Sequence, residues 1–280
     1  MELENWLIQY QSPLRLGFFV GLFTLIALWE WLKPRRRQNA RRVSRWANNL
    51  SLVVVATLLV RLVVRLMVPM GLAVMALHVQ ESAWGLFNHL TLSLGLEVVL
   101  ALVLLDLAIY WQHRIFHQMP LLWRLHRVHH SDQAFDVSTA VRFHPLEILL
   151  SIFIKGLLVI ILGIPATAII IFEVILNGVA LFNHGNIRLP KGLDAIMRTL
   201  VVTPDMHRIH HSDIPFETNS NYGFNLSIWD KMFGSHTAQP QKGHEGINIG
   251  LKEFSTQQQA NGFRVLLKMP FISAIKQGRS

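Results

Sequence analysis

The sequence predicts an all-α, polytopic membrane helix bundle of four to five spans, capped by a helical layer that carries a histidine-rich site for two metal ions. Three observations lead there. Hydrophobic residues make up 51% of the chain and charged residues only 15%, whereas a soluble domain carries about 25% charge. The apolar residues fall into runs approaching the ~20 residues that cross a bilayer. The 14 histidines of the 280 residues are bunched. His113, His117, His126, His129, His130 and His144 lie within 106–147, and His207, His210 and His211 follow far downstream. Residues 1–280 read as one integral-membrane domain, with spans within 16–112 and 145–183 and a cap from 113–144 and 184–280.

Residues 16–32 form the first span. It ends at Trp29, Trp31 and Pro34, ahead of Arg35, Arg36, Arg37, Arg41, Arg42 and Arg45. An aromatic belt followed by a basic cluster marks a cytoplasmic boundary, and such a cluster meets anionic lipid, so nucleic acid is not an expected partner. The leading MELENWLIQY has no basic n-region, so the first span is expected to act as its own insertion signal. Residues 50–77, interrupted by Arg61, Arg65 and Pro69, read as one tilted, kinked span or as a span plus a re-entrant piece, with the single span favoured. Residues 91–112 form the next span and run into the first histidines. Residues 145–163 and 166–183 form two more, joined at Gly163 and Pro165. By parity, a cytoplasmic Arg cluster puts all the clustered histidines on the cytoplasmic face, and Arg114, Arg124, Arg127 and Arg142 agree with the positive-inside bias.

Beyond residue 184 the chain is more polar. Thr203 and Pro204 read as the N-cap and first residue of a short helix. Residues 221–234 read as a packed loop with an amphipathic turn. Residues 262–276 mix apolar and basic side chains in the manner of an interfacial segment.

Helical spacing groups the histidines. His113 and His117 are four apart. The pentapeptides HRVHH (126–130) and HRIHH (207–211) each space their imidazoles i, i+3, i+4, so each places them along one side of a helix. Eight imidazoles exceed what one ion needs, and neutral imidazole binds iron, zinc, copper or nickel. Cysteine is absent, which excludes thiolate-ligated zinc and iron–sulfur clusters. Asp132, Glu147, Asp205 and Asp213 are candidates to accept the second N–H of ligating rings. Asp106 precedes His113 by seven and His117 by eleven. Glu173 and Asn177 precede His184 by eleven and seven. Both sets therefore share a face with histidines, roughly 10 Å (Asp106 to His113) and 16 Å (Glu173 to His184) away along the helix. Intramembrane acids default to a functional hypothesis, here a substrate path or support of the metal ligands; the plainer alternative pairs them with Arg61 and Arg65.

The segments HRIFH, LHRVHHS, TAVRFHPLE, FNHGN and TPDMHRIHHSDIPFETNSNYGFNLSIWDKMFG resemble the fatty acid hydroxylase (sterol desaturase) superfamily over about 100–236. That resemblance implies a membrane non-haem di-iron oxidoreductase that uses O2 to hydroxylate or desaturate a membrane lipid. By motif the metal ligands would be His113, His117, His126, His129, His130, His207, His210 and His211, with His144 and His184 in matching motifs. Some members have a further histidine where this chain has Ala180. The implied cofactors are two Fe ions, with Zn as a substitute in purified protein. No haem-binding module, dinucleotide fingerprint or cysteine cluster is visible, so electrons would come from a separate donor protein. The competing reading is a non-redox, zinc-binding membrane protein such as a lipid-binding protein or transporter. A transporter would hold its ligands at mid-membrane, and these sit at span ends. The nucleophile motif of serine hydrolases is absent.

Overall fold

The computed structural model describes residues 2–38, 41–67, 71–254, 256 and 260–272. Among them there are helices, turns and two isolated bridges, and no strand. In chain order the helices are α1 (Glu2–Leu32), α2 (Arg42–Met67), α3 (Leu72–Glu81), α4 (Leu94–Gln118), α5 (Pro120–His130), α6 (Pro145–Leu162) and α7 (Ala166–Asn183). The short helices of the cap are α8 (Lys191–Met197), α9 (Pro204–His210), α10 (Pro215–Thr218), α11 (Ile228–Met232), α12 (Gly243–Gly246) and α13 (Phe263–Lys268).

Five of these, α1, α2, α4, α6 and α7, are long and apolar enough to cross a membrane. Their limits are set by local chemistry. Proline occupies the first turn of α5, α6, α9 and α10, where its missing N–H costs nothing. The Ser93 hydroxyl accepts the Leu96 amide at the start of α4. Gly163 closes α6 in the left-handed region, and Gly85 packs against it so tightly that a Cβ there would lie 2.2 Å from the Gly163 nitrogen. Thr203 does precede α9, but its hydroxyl makes no capping bond.

The expected single span over 50–77 is instead two helices, α2 and α3; Pro69 lies outside the described residues. At 1.5 Å per residue, ten-residue α3 is about 15 Å long, half of what the hydrocarbon requires. It packs on α6 and α7, with Leu72 and Met75 against Gly156. There it joins the largest apolar cluster, with Ala76, Leu105, Val159 and Phe172 at its centre.

The spans alternate in direction, so the C-terminal ends of α1, α4 and α7 meet the N-terminal ends of α2 and α6 beneath the cap. Ion pairs join the two layers there. Arg45, at the start of α2, is 2% exposed and binds Asp132 at 2.7 Å and also Asp136. Arg35 reaches Asp205 and Glu245. Part of the basic cluster is therefore internal mortar, a use beyond the lipid contact expected of it. Arg142, fully buried, donates to the Val128 carbonyl, Ser131 Oγ and Asn49 Oδ1 at 2.8–3.0 Å and ties α5 to α2. Burial pushes its pKa down to about 10, so it stays charged. Residues 262–272 pack one face on the protein, with Leu266 and Met269 buried beside Leu52 and Val128, and leave Phe271 and Ile272 exposed. Residues 273–276 lie outside the described residues.

The intramembrane acid Glu173 is charge-paired, as one of the two readings had it, but with other partners than Arg61 and Arg65. Glu173 pairs with Lys155 at 2.8 Å and with Arg15, so its partners come from α6 and α1. Arg61 is exposed, and the side chain of Arg65 lies outside the described residues.

Candidate metal centre

Nine histidines converge under the cap in two groups. His113, His117, His126, His130 and His210 form one; His129, His184, His207 and His211 form the other. Within each group the donor atoms lie within 4.8 Å of one another. Each pentapeptide feeds both groups. On α5, His126 and His130 face the five-histidine group and His129 the other. On α9 and its C-cap, His207 and His211 face the four-histidine group and His210 the five. The i, i+4 pair of each copy stays together, and the imidazole between them crosses over. α4 adds His113 and His117 to one group, and the C-cap residue of α7, His184, completes the other. The groups touch: the His130 and His211 rings stack at 4.5 Å between centroids.

The ring orientations are fixed from behind. The Nδ1 atoms of His113, His210 and His184 lie 2.8, 2.7 and 2.7 Å from the carbonyl oxygens of Tyr222, Ser220 and Ala180. A carbonyl only accepts, so each Nδ1 carries the proton and each Nε2 presents a lone pair. His126 Nδ1 lies 2.7 Å from Glu147 Oε1, and donates to that carboxylate. In the five-histidine group, the Nε2 of His113 then faces those of His210 at 2.9 Å and His126 at 3.1 Å. In the other, the Nε2 of His184 faces those of His207 at 3.0 Å and His129 at 3.1 Å. Where both Nδ1 atoms are held protonated by carbonyls, as in His113 and His210, lone pairs so close repel unless a cation lies between them.

A proton is a poor candidate for that cation. Burial pushes His126 down to about 3 and His184 to about 4. It also holds His129, His130, His207, His210 and His211 well below the usual histidine range, with neighbouring imidazoles adding to the effect. Neutral, convergent, carbonyl-oriented imidazoles fit transition-metal ions. Neither ring nitrogen of His211 has a hydrogen-bond partner, which fits the same use.

Of the four acids proposed to support ligands, Glu147 does so. Asp132 and Asp205 serve arginines, and Asp213 receives Asn248. The backbone carbonyls of Tyr222, Ser220 and Ala180 were not legible as partners, since no side chain signals them. His144 stands apart from both groups. As N-cap of α6 its Nδ1 accepts the Leu146 amide at 3.2 Å, and its Nε2 lies 3.2 Å from the Leu267 carbonyl. Both nitrogens are thereby used.

Asp106 acts one step further out. It accepts the amides of Asn225 and Leu226 at 3.3 and 3.1 Å and the Trp229 indole N–H at 2.8 Å. Asp230 takes the amides of Tyr222 and Gly223. The two acids pin the loop whose Tyr222 carbonyl orients His113. Asp106 also borders an apolar groove of about 130 Å³ between α4 and α7, with Leu102, Val103 and Phe172. Glu173 and Asn177 reach neither histidine group. Glu173 is in its ion pairs, and exposed Asn177 donates to the Glu173 carbonyl at 2.7 Å.

Comparison with known proteins agrees with this centre. The fatty acid hydroxylase family matches residues 98–235, which hold all nine clustered histidines. The ornithine lipid hydroxylase OlsE of Rhizobium tropici is 29% identical over 259 residues, covering 90% of this chain and 74% of that protein. Human alkylglycerol monooxygenase is 27% identical over 53% of this chain and 32% of its own length. Human lathosterol oxidase is 25% identical over 55% and 48%. The chain thus spans about three quarters of the first relative and half or less of the other two. No solved structure matches it. With five apolar helices, two histidine groups at their shared end and the family match across both, this chain belongs to the fatty acid hydroxylase family of lipid hydroxylases, monooxygenases and desaturases.

Proposed function

We propose that the protein is a di-iron, O2-dependent lipid hydroxylase or desaturase that attacks a C–H bond of a membrane lipid with electrons from a separate donor protein. The observation that carries this is the donor set: five and four neutral imidazoles in two touching groups, at the common end of five apolar helices. Two bound iron ions would supply the reductive activation of O2 that breaking an unactivated C–H bond demands.

This chain's own residues do the rest. His113, His117, His126, His130 and His210 would hold one ion, and His129, His184, His207 and His211 the other. The carbonyls of Tyr222, Ser220 and Ala180 keep Nδ1 protonated on three rings, so that Nε2 is the ligating atom. Glu147 does the same for His126. Burial of all nine histidine residues apart from half-buried His117 keeps water from the reacting centre, as oxidation of an inert carbon requires. The groove beside Asp106 opens at the α4–α7 side, where an acyl chain can lie. With the Arg35–Arg45 cluster cytoplasmic, the centre faces the cytoplasm, where a soluble or membrane-bound reductase can reach it.

The test is direct. Protein purified from iron-replete cells should carry about two Fe per chain, consume O2 with an added reductant, and raise a lipid's mass by one oxygen or lower it by two hydrogens. Bound zinc together with no O2 uptake, after iron reconstitution, would sink the proposal.

A further inference from the structure

One cavity lies outside the histidine groups yet shares a wall with them. It has a volume of about 240 Å³ and is lined by Arg36, Arg37 and Arg208, with Gln38, Asn186 and Phe135 among its other walls. Arg208 is completely buried and leaves its Nε without a partner. The other side of that guanidinium pairs with Asp205, which Arg35 also contacts. Arg35 reaches Glu245 as well. Locally, four guanidinium groups meet two carboxylates. Among the described residues no carboxylate lies within ion-pair distance of Arg36 or Arg37.

The site is built. Asn186 accepts the Arg36 amide at 3.1 Å through its side chain and donates to the Arg36 carbonyl at 2.8 Å. The Arg35 amide donates to the Asn186 backbone carbonyl at 2.7 Å. These bonds lock the chain leaving α1 to the chain leaving α7. Gln38 donates to the Phe135 carbonyl at 2.6 Å. The pocket's height follows from its sequence. Arg36 is four residues past the end of α1 and Asn186 three past the end of α7, at most ~14 Å and ~11 Å of chain. The pocket therefore lies close to the ends of two helices that are apolar and long enough to span a membrane.

Phe135 is the shared wall. The Arg208 guanidinium carbon lies 5.2 Å from its ring centroid. The rings of His211 and His184 lie 5.1 and 5.6 Å from it on the histidine side. One phenyl ring therefore separates the cationic pocket from the four-histidine group.

We propose that this pocket binds the anionic headgroup of the lipid substrate, a phosphate or carboxylate held by Arg36, Arg37 and Arg208. Guanidinium groups suit such oxyanions through paired, charge-assisted N–H bonds. The assignment of the bound lipid as substrate rests on the oxygenase reading above. It narrows that reading to lipids whose oxidised carbon lies near the polar end, because the anion sits beside the centre.

The full-length protein in phosphatidylcholine nanodiscs can be titrated with dihexanoyl phosphatidic acid, with inorganic phosphate and with dioctanoylglycerol, following binding by calorimetry. The short phosphatidic acid should bind saturably, and phosphate and the uncharged diacylglycerol at least about tenfold more weakly. R36Q/R37Q should weaken phosphatidic acid binding by about tenfold or more while leaving metal content unchanged. Should the double variant not fold, R37Q alone, at an exposed position, should weaken it severalfold. Equal binding of phosphate and the lipid would overturn the lipid assignment. Absence of binding, or binding unaltered in folded variants, would overturn the site. Metal content of the same samples separates the two proposals: lipid binding without metal upholds the pocket and counts against the oxygenase, and metal without lipid binding does the reverse.

Discussion

At the scale of single residues, function depends on which ring nitrogen carries the proton. Glu147 sets this for His126, at 2.7 Å from its Nδ1. Glu147→Ala leaves that N–H without its acceptor, and metal affinity should fall by about 10–100-fold, the usual cost of losing such a partner. Glu147→Gln keeps a carbonyl oxygen in place and should recover much of the loss; equal metal content in both variants and the parent would refute the role. The buried histidines also predict an acid limit. The unfolded chain takes up protons on its histidines below about 6.5, but in the fold His184 waits until about 4 and His126 until about 3. The unfolded state therefore binds more protons between those limits. Stability is full above 6.5 and falls as the pH drops toward 4, by up to ~1.4 kcal/mol per unit for each such histidine. Thermal unfolding of the detergent-solubilised protein from pH 7.5 to 4.5 should show a falling midpoint, with metal release in the same window. Spacing alone made most of this centre legible, because i, i+3, i+4 puts three imidazoles on one side of a short helix. It did not reveal that the i+3 ring of each pentapeptide serves the other group, which depends on how α5 and α9 face each other. His144 shares its neighbours' motif, but the following Pro145 makes it a helix cap, and a capping ring has one nitrogen already spent on the backbone.

At the scale of elements, two buried acids in apolar helices turn out to have different partners. Asp106 holds three N–H donors of the 225–229 segment, and Asp106→Asn retains only one accepting oxygen. That substitution should cost about 1–3 kcal/mol of stability. In protein that still folds, it should lower metal occupancy through the loosened Tyr222 carbonyl. Full metal occupancy with unchanged stability would show that the loop does not depend on Asp106. Glu173 instead neutralises Arg15 and Lys155. Removing one partner from a buried ion pair costs about 3–5 kcal/mol, so Glu173→Gln should reduce the yield of folded protein sharply. Whatever folds should keep its full metal content, since Glu173 touches no histidine. Replacing all three residues with methionine should restore yield; a triple variant as poor as the single would argue that the charges serve something besides one another. From the sequence, shared helix faces put both acids on the side of the histidines, and only Asp106 connects to one, through the Tyr222 loop. Their partners were not legible, because Arg15 lies within the first apolar helix and Lys155 on α6, and no local spacing rule links those helices to α7.

At the scale of the whole molecule, the argument turns on all histidine-bearing helix ends sharing one side of the membrane. That was legible from parity despite one miscounted element. Residues 50–77 resolve into α2 and a half-length α3 that packs on α6 and α7 without crossing, so α2 alone crosses between the Arg35–Arg45 cluster and α4, and α4 returns its histidines to the level of that cluster. The complete absence of cysteine makes the topology open to experiment, because a single introduced thiol has no background. Lys242 is exposed on the cap, and Trp84, 62% exposed, lies in the turn between α3 and α4 at the opposite end of the bundle. With the basic cluster cytoplasmic, Trp84→Cys should react with a membrane-impermeant maleimide on intact spheroplasts, and Lys242→Cys only after permeabilisation. The reverse pattern would keep the fold but move the centre to the other compartment, away from cytoplasmic electron donors. Labelling of both from the same side would break the five-span arrangement itself, and with it the shared helix ends that bring residues 126–130 and 207–211 into two histidine groups.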